Sequence, residues 1–234
     1  MVKLASLLGI GTRGTRVVGA LAFALAPRVV STMGAVSIES WPLALAPWVL
    51  IPLVKGSLGG SPRKWAALSG VAFLCIGGVN AVATMAVLPL GVWWLLTRQR
   101  SRRLWSLSGW WVVSIGLASL WWLLPLLLLG QYSPPFLDWI ESANVTTSVT
   151  SGINVMRGAD AWLPYLVDNT GPLLPAGWEL VTSWWGVLAT GLVAAVGAAG
   201  LAIRGLPQRS FLVGAAIIGF GLVSLGHVGI PAGI

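Results

Sequence analysis

Residues 104–130, 180–203 and 210–230 each run for more than 20 positions without a lysine, arginine, aspartate or glutamate. A helix needs about 20 apolar residues to cross the hydrocarbon core of a bilayer. Inside that core, only helices and closed barrels satisfy their own backbone polar groups. The runs therefore predict an all-α polytopic membrane protein. Composition agrees: 9% of residues are charged and 56% are hydrophobic, whereas a soluble domain is about 25% charged.

The charges between the runs give the sidedness. Five of the six carboxylates, Asp138, Glu141, Asp160, Asp168 and Glu179, fall within 131–179, and thirteen of the fourteen bases lie elsewhere, twelve of them in short loops between apolar runs. Lysine and arginine favour cytoplasmic loops, so the acidic stretch 131–179 is expected as one extracytoplasmic loop. The cluster Arg98, Arg100, Arg102 and Arg103 precedes 104–130, and Arg204 and Arg209 follow 180–203, which places both inside. Segment 65–97 is flanked by Lys55, Arg63 and Lys64 on one side and the Arg98 cluster on the other. A single crossing violates the charge rule; two shorter helices meeting near Gly77, Gly78 and Asn80 satisfy it. Likewise 16–55 reads as an outward helix, a polar crest from Ser31 to Ser40, and an inward helix kinked by Pro42, Pro47 and Pro52. About seven membrane helices result, some short or kinked.

The formal charge of +8 is thus a topological signal, and nucleic acid is not an expected partner. Cys75 is the one cysteine and reads as a small buried hydrophobe. There is one histidine and neither a CxxC nor an HExxH pattern, so no metal site or cofactor is expected. Lys3 opens a short apolar run broken by Gly9, Gly11 and Arg13, unlike a signal peptide. Tryptophan recurs in pairs, and Trp121, Trp122, Trp178, Trp184 and Trp185 cluster near the expected outer surface. Membrane-interface anchoring accounts for them, with sugar stacking open to Trp139, Trp162 and Trp178.

Within the loop, FLDWIESA places Asp138 and Glu141 three apart, on one face if helical. TTSVTS supplies hydroxyls for a polyol or phosphate. INVMRGADAWLPYL brings Arg157, Asp160, Trp162 and Tyr165 within nine positions, a cation, an acid and two aromatics that suit a sugar or sugar phosphate. Arg28 and Glu39 flank the crest. Arg28 and Arg157 are then the two outward-facing bases, and an Arg at the membrane boundary is a candidate for a lipid phosphate. An Arg28–Glu39 ion pair or snorkelling to headgroups is the plainer alternative. Asn80 satisfies local backbone or contacts a ligand, and His227 is a helix-end residue.

Three stretches, ALAFALAPRVVSTMGAVSIESWPLALAPWVLIPL, GGVNAVATMAVLPL and FLDWIESANVTTSVTSGINVMRGADAWLPYL, resemble the actinobacterial α-(1→3)-arabinofuranosyltransferases of the arabinofuranosyltransferase D type. The resemblance implies a GT-C-like helical membrane core in the plasma membrane, with its active face extracytoplasmic. It implies transfer of arabinofuranose from decaprenyl-phosphate-arabinose to arabinan of arabinogalactan or lipoarabinomannan. On that reading Arg28 and Arg157 bind the donor phosphate, while Glu39, Asp138, Glu141, Asp160, Trp162 and Tyr165 contact sugar or acceptor. The reaction is displacement at the anomeric carbon, with a carboxylate deprotonating the acceptor hydroxyl.

GT-C enzymes place a catalytic Asp in the first outer loop, and no acid precedes Glu39 here. Residues 1–234 are accordingly expected to be a partial GT-C transmembrane domain, an internal piece that needs the remainder of the full-length enzyme, with the catalytic base outside it. Two other readings stand beside this one. A transporter or flippase segment uses broken helices such as those around Gly77–Asn80 but predicts an inverted repeat, which is not found. A non-catalytic structural subunit accommodates the missing base.

Overall fold

A computed structural model describes residues 1–35, 37–78, 80–130, 132 and 147–227. Asp138, Trp139 and Glu141 lie outside the described residues. Among the described residues the regular elements are helices, apart from one two-stranded hairpin. It divides into two compact units: Met1–Gly19 with Ile38–Ser133, and Ala20–Ser37 with Pro134–Ile234.

The first unit is built on α4 (Trp41–Leu58), α5 (Pro62–Leu74), α6 (Ala81–Met85), α7 (Leu88–Leu96) and α8 (Arg102–Leu129), with α1 (Val2–Leu7) burying Leu4. α4 stays one helix through Pro47 and Pro52, both buried. Each proline removes a hydrogen bond, and tertiary packing keeps the helix together. Ser69 on α5 donates to the Val49 carbonyl of α4 (2.7 Å), and the Trp111 indole of α8 donates to Ser69 Oγ (3.0 Å). This buried chain of donors ties three helices with every polar group satisfied. At one end Arg103 donates to the carbonyls of Gly56 (2.9 and 2.8 Å) and Gly60 (2.6 Å), capping the C-terminus of α4, where a cation also meets the helix dipole.

Segment 65–97 goes out and back. Gly70 of α5 lies against Ser114, and Gly78 beyond it against Trp122, so α5 runs alongside α8 in the same direction. Gly91 of α7 lies against Trp111 and Leu53, and Trp94 donates to Ser57 (3.3 Å), so α7 returns. The break falls where expected. Gly77 takes a positive φ of 76°, and the Asn80 side chain accepts from the Ala83 amide (3.0 Å), which starts α6. Asn80 is therefore an N-cap. With 13 residues, α5 rises only about 20 Å.

The second unit holds the last five residues of α2 (Arg13–Ala24), then α3 (Pro27–Ala35), α9 (Gly152–Arg157), α10 (Pro175–Thr182), α11 (Trp184–Ala202) and α12 (Arg209–His227). The expected polar crest is shorter than Ser31 to Ser40. Ser31 and Thr32 are helical and buried, because their hydroxyls donate to the Pro27 and Arg28 carbonyls one turn back, a bond that lets Ser and Thr sit within a helix. Only Ser37–Ser40 forms the turn, as a 3-10 helix.

Among the described residues, Ser37–Leu58, Arg102–Leu129 and Trp184–Ala202 are long and apolar enough to cross a membrane. Arg13–Ala24 and Pro27–Gly34, bent by 48°, make a fourth crossing if taken together. Ala81–Leu96 and Arg209–Ser224 are shorter apolar helices. Two expectations change. Cys75 is exposed at the end of α5, where the lipid-facing side of a membrane protein is itself apolar. Trp122 is buried against Gly78, so it packs the core, while Trp121, Trp184 and Trp185 remain exposed.

Candidate functional site

The second unit gathers five of the eight candidate residues, Arg28, Arg157, Asp160, Trp162 and Tyr165, around one loop. α9 starts at Ser151, whose side chain accepts from the Asn154 amide (3.4 Å), and stops at Gly158, which takes the left-handed conformation (φ 67°). That residue type ends a helix at no steric cost. The Gly158 carbonyl then accepts from the Arg28 amide (2.8 Å), docking the start of α3 on the loop. Two residues on, Asp160 is buried between buried Ala159 and Ala161, and its Oδ2 accepts from Arg28 Nη1. The pair is asymmetric: the Arg28 side chain is 49% exposed and that of Asp160 only 6%. A buried carboxylate needs such a partner. Asp160 in turn holds one face of a guanidinium whose other donors reach solvent.

Arg157 is placed differently. Its Nε donates to Thr190 Oγ1 of α11 (3.1 Å) and its Nη2 to the Val181 carbonyl at the end of α10 (2.8 Å). Two of its three nitrogens therefore fasten α9 to the neighbouring helices. The same residue lines an apolar cavity of about 490 Å³, whose wall includes Leu25, Pro27, Met156, Ala189 and Val193. The volume lies within the range of small-molecule sites. One cation, with Thr190 beside it, in a mostly apolar wall suits an amphiphile with an anionic end.

Tyr165 closes the loop from the other side. Its hydroxyl donates to the Ala159 carbonyl (3.0 Å), and its ring meets Trp178 of α10 edge-on at 6.5 Å. Burial pushes the phenol above its ordinary pKa; Arg157 pulls it down and Asp160 adds to the rise. Trp162 begins the 3-10 helix Leu163–Tyr165 and is half-buried. The strands β1 (Val167–Asp168) and β2 (Gly171–Pro172) follow. Their turn is held by Asp168 Oδ1, which accepts from Thr170 N and Oγ1 (both 2.7 Å) and from Gly171 N (3.1 Å). The Thr170 hydroxyl first, and then the two amides, hold this exposed carboxyl below its ordinary range.

Glu39 is exposed in the 3-10 turn Ser37–Ser40 and belongs to the first unit. Asp138 and Glu141 lie outside the described residues. Arg28 therefore pairs with Asp160, in place of the alternative Glu39. Among the described residues no three His, Cys, Asp or Glu side chains gather into a metal-binding group. Sequence reasoning missed Thr190 and the cavity wall; the small residues Ala189 and Ala194 of α11, which leave the space open, were the signal.

The N-terminal GT-C domain model of alpha-(1->3)-arabinofuranosyltransferase matches residues 1–234. The chain is similar to the alpha-(1->3)-arabinofuranosyltransferases of Mycobacterium tuberculosis (44% identical over 233 residues) and Mycolicibacterium smegmatis (45% over 231). Each match takes in 98% of this chain and 16% of the relative, so the chain spans about a sixth of the length of these curated proteins. It also resembles the cryo-EM structure of arabinofuranosyltransferase AftD from Mycobacteria, with a TM-score of 0.76 and 40% identity, over 99% of this chain and 17% of that one.

Proposed function

Because the chain belongs to the N-terminal GT-C domain family of alpha-(1->3)-arabinofuranosyltransferases, we propose that it is part of the membrane core of such a glycosyltransferase and that its second unit receives the lipid-phosphate donor. The donor is a polyprenyl phosphate carrying arabinofuranose, the acceptor is arabinan, and the site faces the extracytoplasmic side of the plasma membrane. The acceptor oxygen attacks the anomeric carbon and the lipid phosphate leaves with the bonding electrons. The acceptor proton passes to a carboxylate that this chain does not identify.

The observation that carries this reading is the half-exposed guanidinium of Arg28, backed by buried Asp160. Charge-assisted hydrogen bonds to a phosphate are about twice as strong as neutral ones, and a guanidinium already held on one face loses little freedom on binding. The cavity lined by Arg157 offers apolar wall to the first isoprene units. Asp160 Oδ2 is engaged by Arg28 of α3 and the Tyr165 hydroxyl by the Ala159 carbonyl, so both act as positioning residues. Trp162 is the aromatic left for a sugar face, and Glu39, Asp138 and Glu141 remain candidate acceptor contacts.

The test uses the full-length enzyme in detergent with decaprenyl-phosphate-arabinose. Arg28→Gln is expected to weaken donor binding by about 10- to 100-fold, the equivalent of one hydrogen bond to a charged group. Arg157→Lys, which keeps the charge but loses the fork, is expected to weaken it less. Unchanged donor affinity in Arg28→Gln would sink the phosphate assignment.

A further inference from the structure

Within the first unit, the stretch Ile38–Ser133 carries its bases at the helix ends where α4 and α7 finish and α5 and α8 begin. Arg63 and Lys64 open α5, Arg100 and Arg102 lie at the start of α8, and all four are exposed. Arg103, joined to Gly56 and Gly60, ties these helix ends to the C-terminal end of α4. Glu39 is the only carboxylate in Ile38–Ser133 and precedes α4, whose last turn bears Lys55; the 16 positions between them, mostly helical, correspond to about 24 Å. Among the described residues, the ion pair Arg28–Asp160 involves none of these bases. This end lacks a counter-charge of its own.

Two of the cations lie on exposed indoles of α8. The Arg63 guanidinium sits 4.7 Å from the Trp110 ring centroid, and that of Arg100 sits 5.4 Å from Trp105. Trp105 is 64% exposed and Trp110 38%. Both rings belong to a helix long enough to cross a membrane, whose outer face continues through exposed Val112 and Leu117. The stacked cations are therefore held against the perimeter that meets acyl chains, at the level of the indoles, which favour the headgroup zone. By contrast, Arg98 lies 4.0 Å from buried Trp94 and faces the interior of the unit.

We propose that the Arg63–Trp110 and Arg100–Trp105 pairs, with Lys64 and Arg102 beside them, form a binding site for anionic phospholipid headgroups. The guanidinium donors meet the lipid phosphate and the indole faces pack on the glycerol and upper acyl segments. The site is independent of the donor assignment, since it lies in the other unit.

The test uses the full-length protein in neutral detergent, titrated with phosphatidylglycerol or phosphatidylcholine and followed by native mass spectrometry. Phosphatidylglycerol is expected to bind more tightly than phosphatidylcholine, with the preference falling as salt rises. Arg63→Gln with Arg100→Gln is expected to weaken phosphatidylglycerol by about 30-fold, and each alone by about fivefold, as removal of one or two basic residues at an anionic surface requires. The single variants keep the test decisive if the double variant misfolds. Arg63→Lys with Arg100→Lys is expected to retain most of the preference, and Arg28→Gln all of it. Equal affinity for the two lipids, or an unaltered preference in the Gln variants, overturns the site. Capture of poly-glutamate with no lipid preference overturns it in favour of an acidic protein partner.

Discussion

The Arg28–Asp160 pair makes an unequal prediction for its two halves. Asp160 is almost fully buried and Arg28 is half in water. In Asp160→Asn the guanidinium is rehydrated where it stands, so the loss is one charge-assisted hydrogen bond, reduced by solvent screening to about 1 kcal/mol. In Arg28→Ala the carboxylate stays inside without its cation, and breaking a buried pair this way costs about 3 kcal/mol. The double variant should cost less than the sum by about 1–2 kcal/mol, the coupling expected for side chains in direct contact. Thermal unfolding in detergent micelles, followed by the helical circular dichroism signal, measures all four corners of the cycle. The reasoning is refuted if Asp160→Asn destabilises as much as Arg28→Ala, because the asymmetry follows from burial alone.

Ser69→Ala should cost about 1–3 kcal/mol in the same assay, since it strands the buried Trp111 N–H; no loss would mean the donor chain through α4, α5 and α8 is not maintained. A Cβ on Gly78 would lie 2.3 Å from Trp122 Cγ, so Gly78→Val should destabilise by about 1–3 kcal/mol through overpacking, with Trp122→Ala partly rescuing it. The chain has two tyrosines, and in Tyr132→Phe the phenol of Tyr165 can be titrated alone at 295 nm. Because folding raises its pKa, the contribution is complete below the unfolded value and is lost as pH rises through the folded one; a midpoint at or below that of the unfolded chain contradicts the burial. Asp168 has the opposite sign. Its pKa is lowered, so the hairpin is supported above the ordinary carboxylate value and loosens as pH falls through the folded one. The Thr170 amide resonance should report this, and Asp168→Asn should abolish the pH dependence.

The hydrophobic runs and the break in 65–97 were legible because their causes are local. Apolar length decides what can cross a bilayer, and Gly77 with Asn80 supplies the backbone freedom and the cap that end one helix and begin the next. The loop from Arg157 to Tyr165 was legible as a cluster, because its polar side chains stand close together in the chain. Their division of labour was not. Arg157 looked as available as Arg28, yet two of its nitrogens hold Thr190 and Val181, 33 and 24 positions away. Ser31 and Thr32 read as a polar crest, because a list of residue types does not show that a hydroxyl can bond to the preceding turn.

Sequence alone therefore determined the membrane class, the family resemblance, the helix ends that carry the bases of the first unit, and the short loop that carries acid and aromatic together. These depend on residue type and on spacings of a few positions. Tertiary structure decided that Asp160, 132 positions from Arg28, takes the inner face of that guanidinium, and that Trp111 and Trp122 pack inward while Trp110 and Trp121 face outward. A partner so distant is selected by which backbones pack together. Neighbouring tryptophans on one helix point about 100° apart, so packing against α5 and α7 fixes which of each pair is buried.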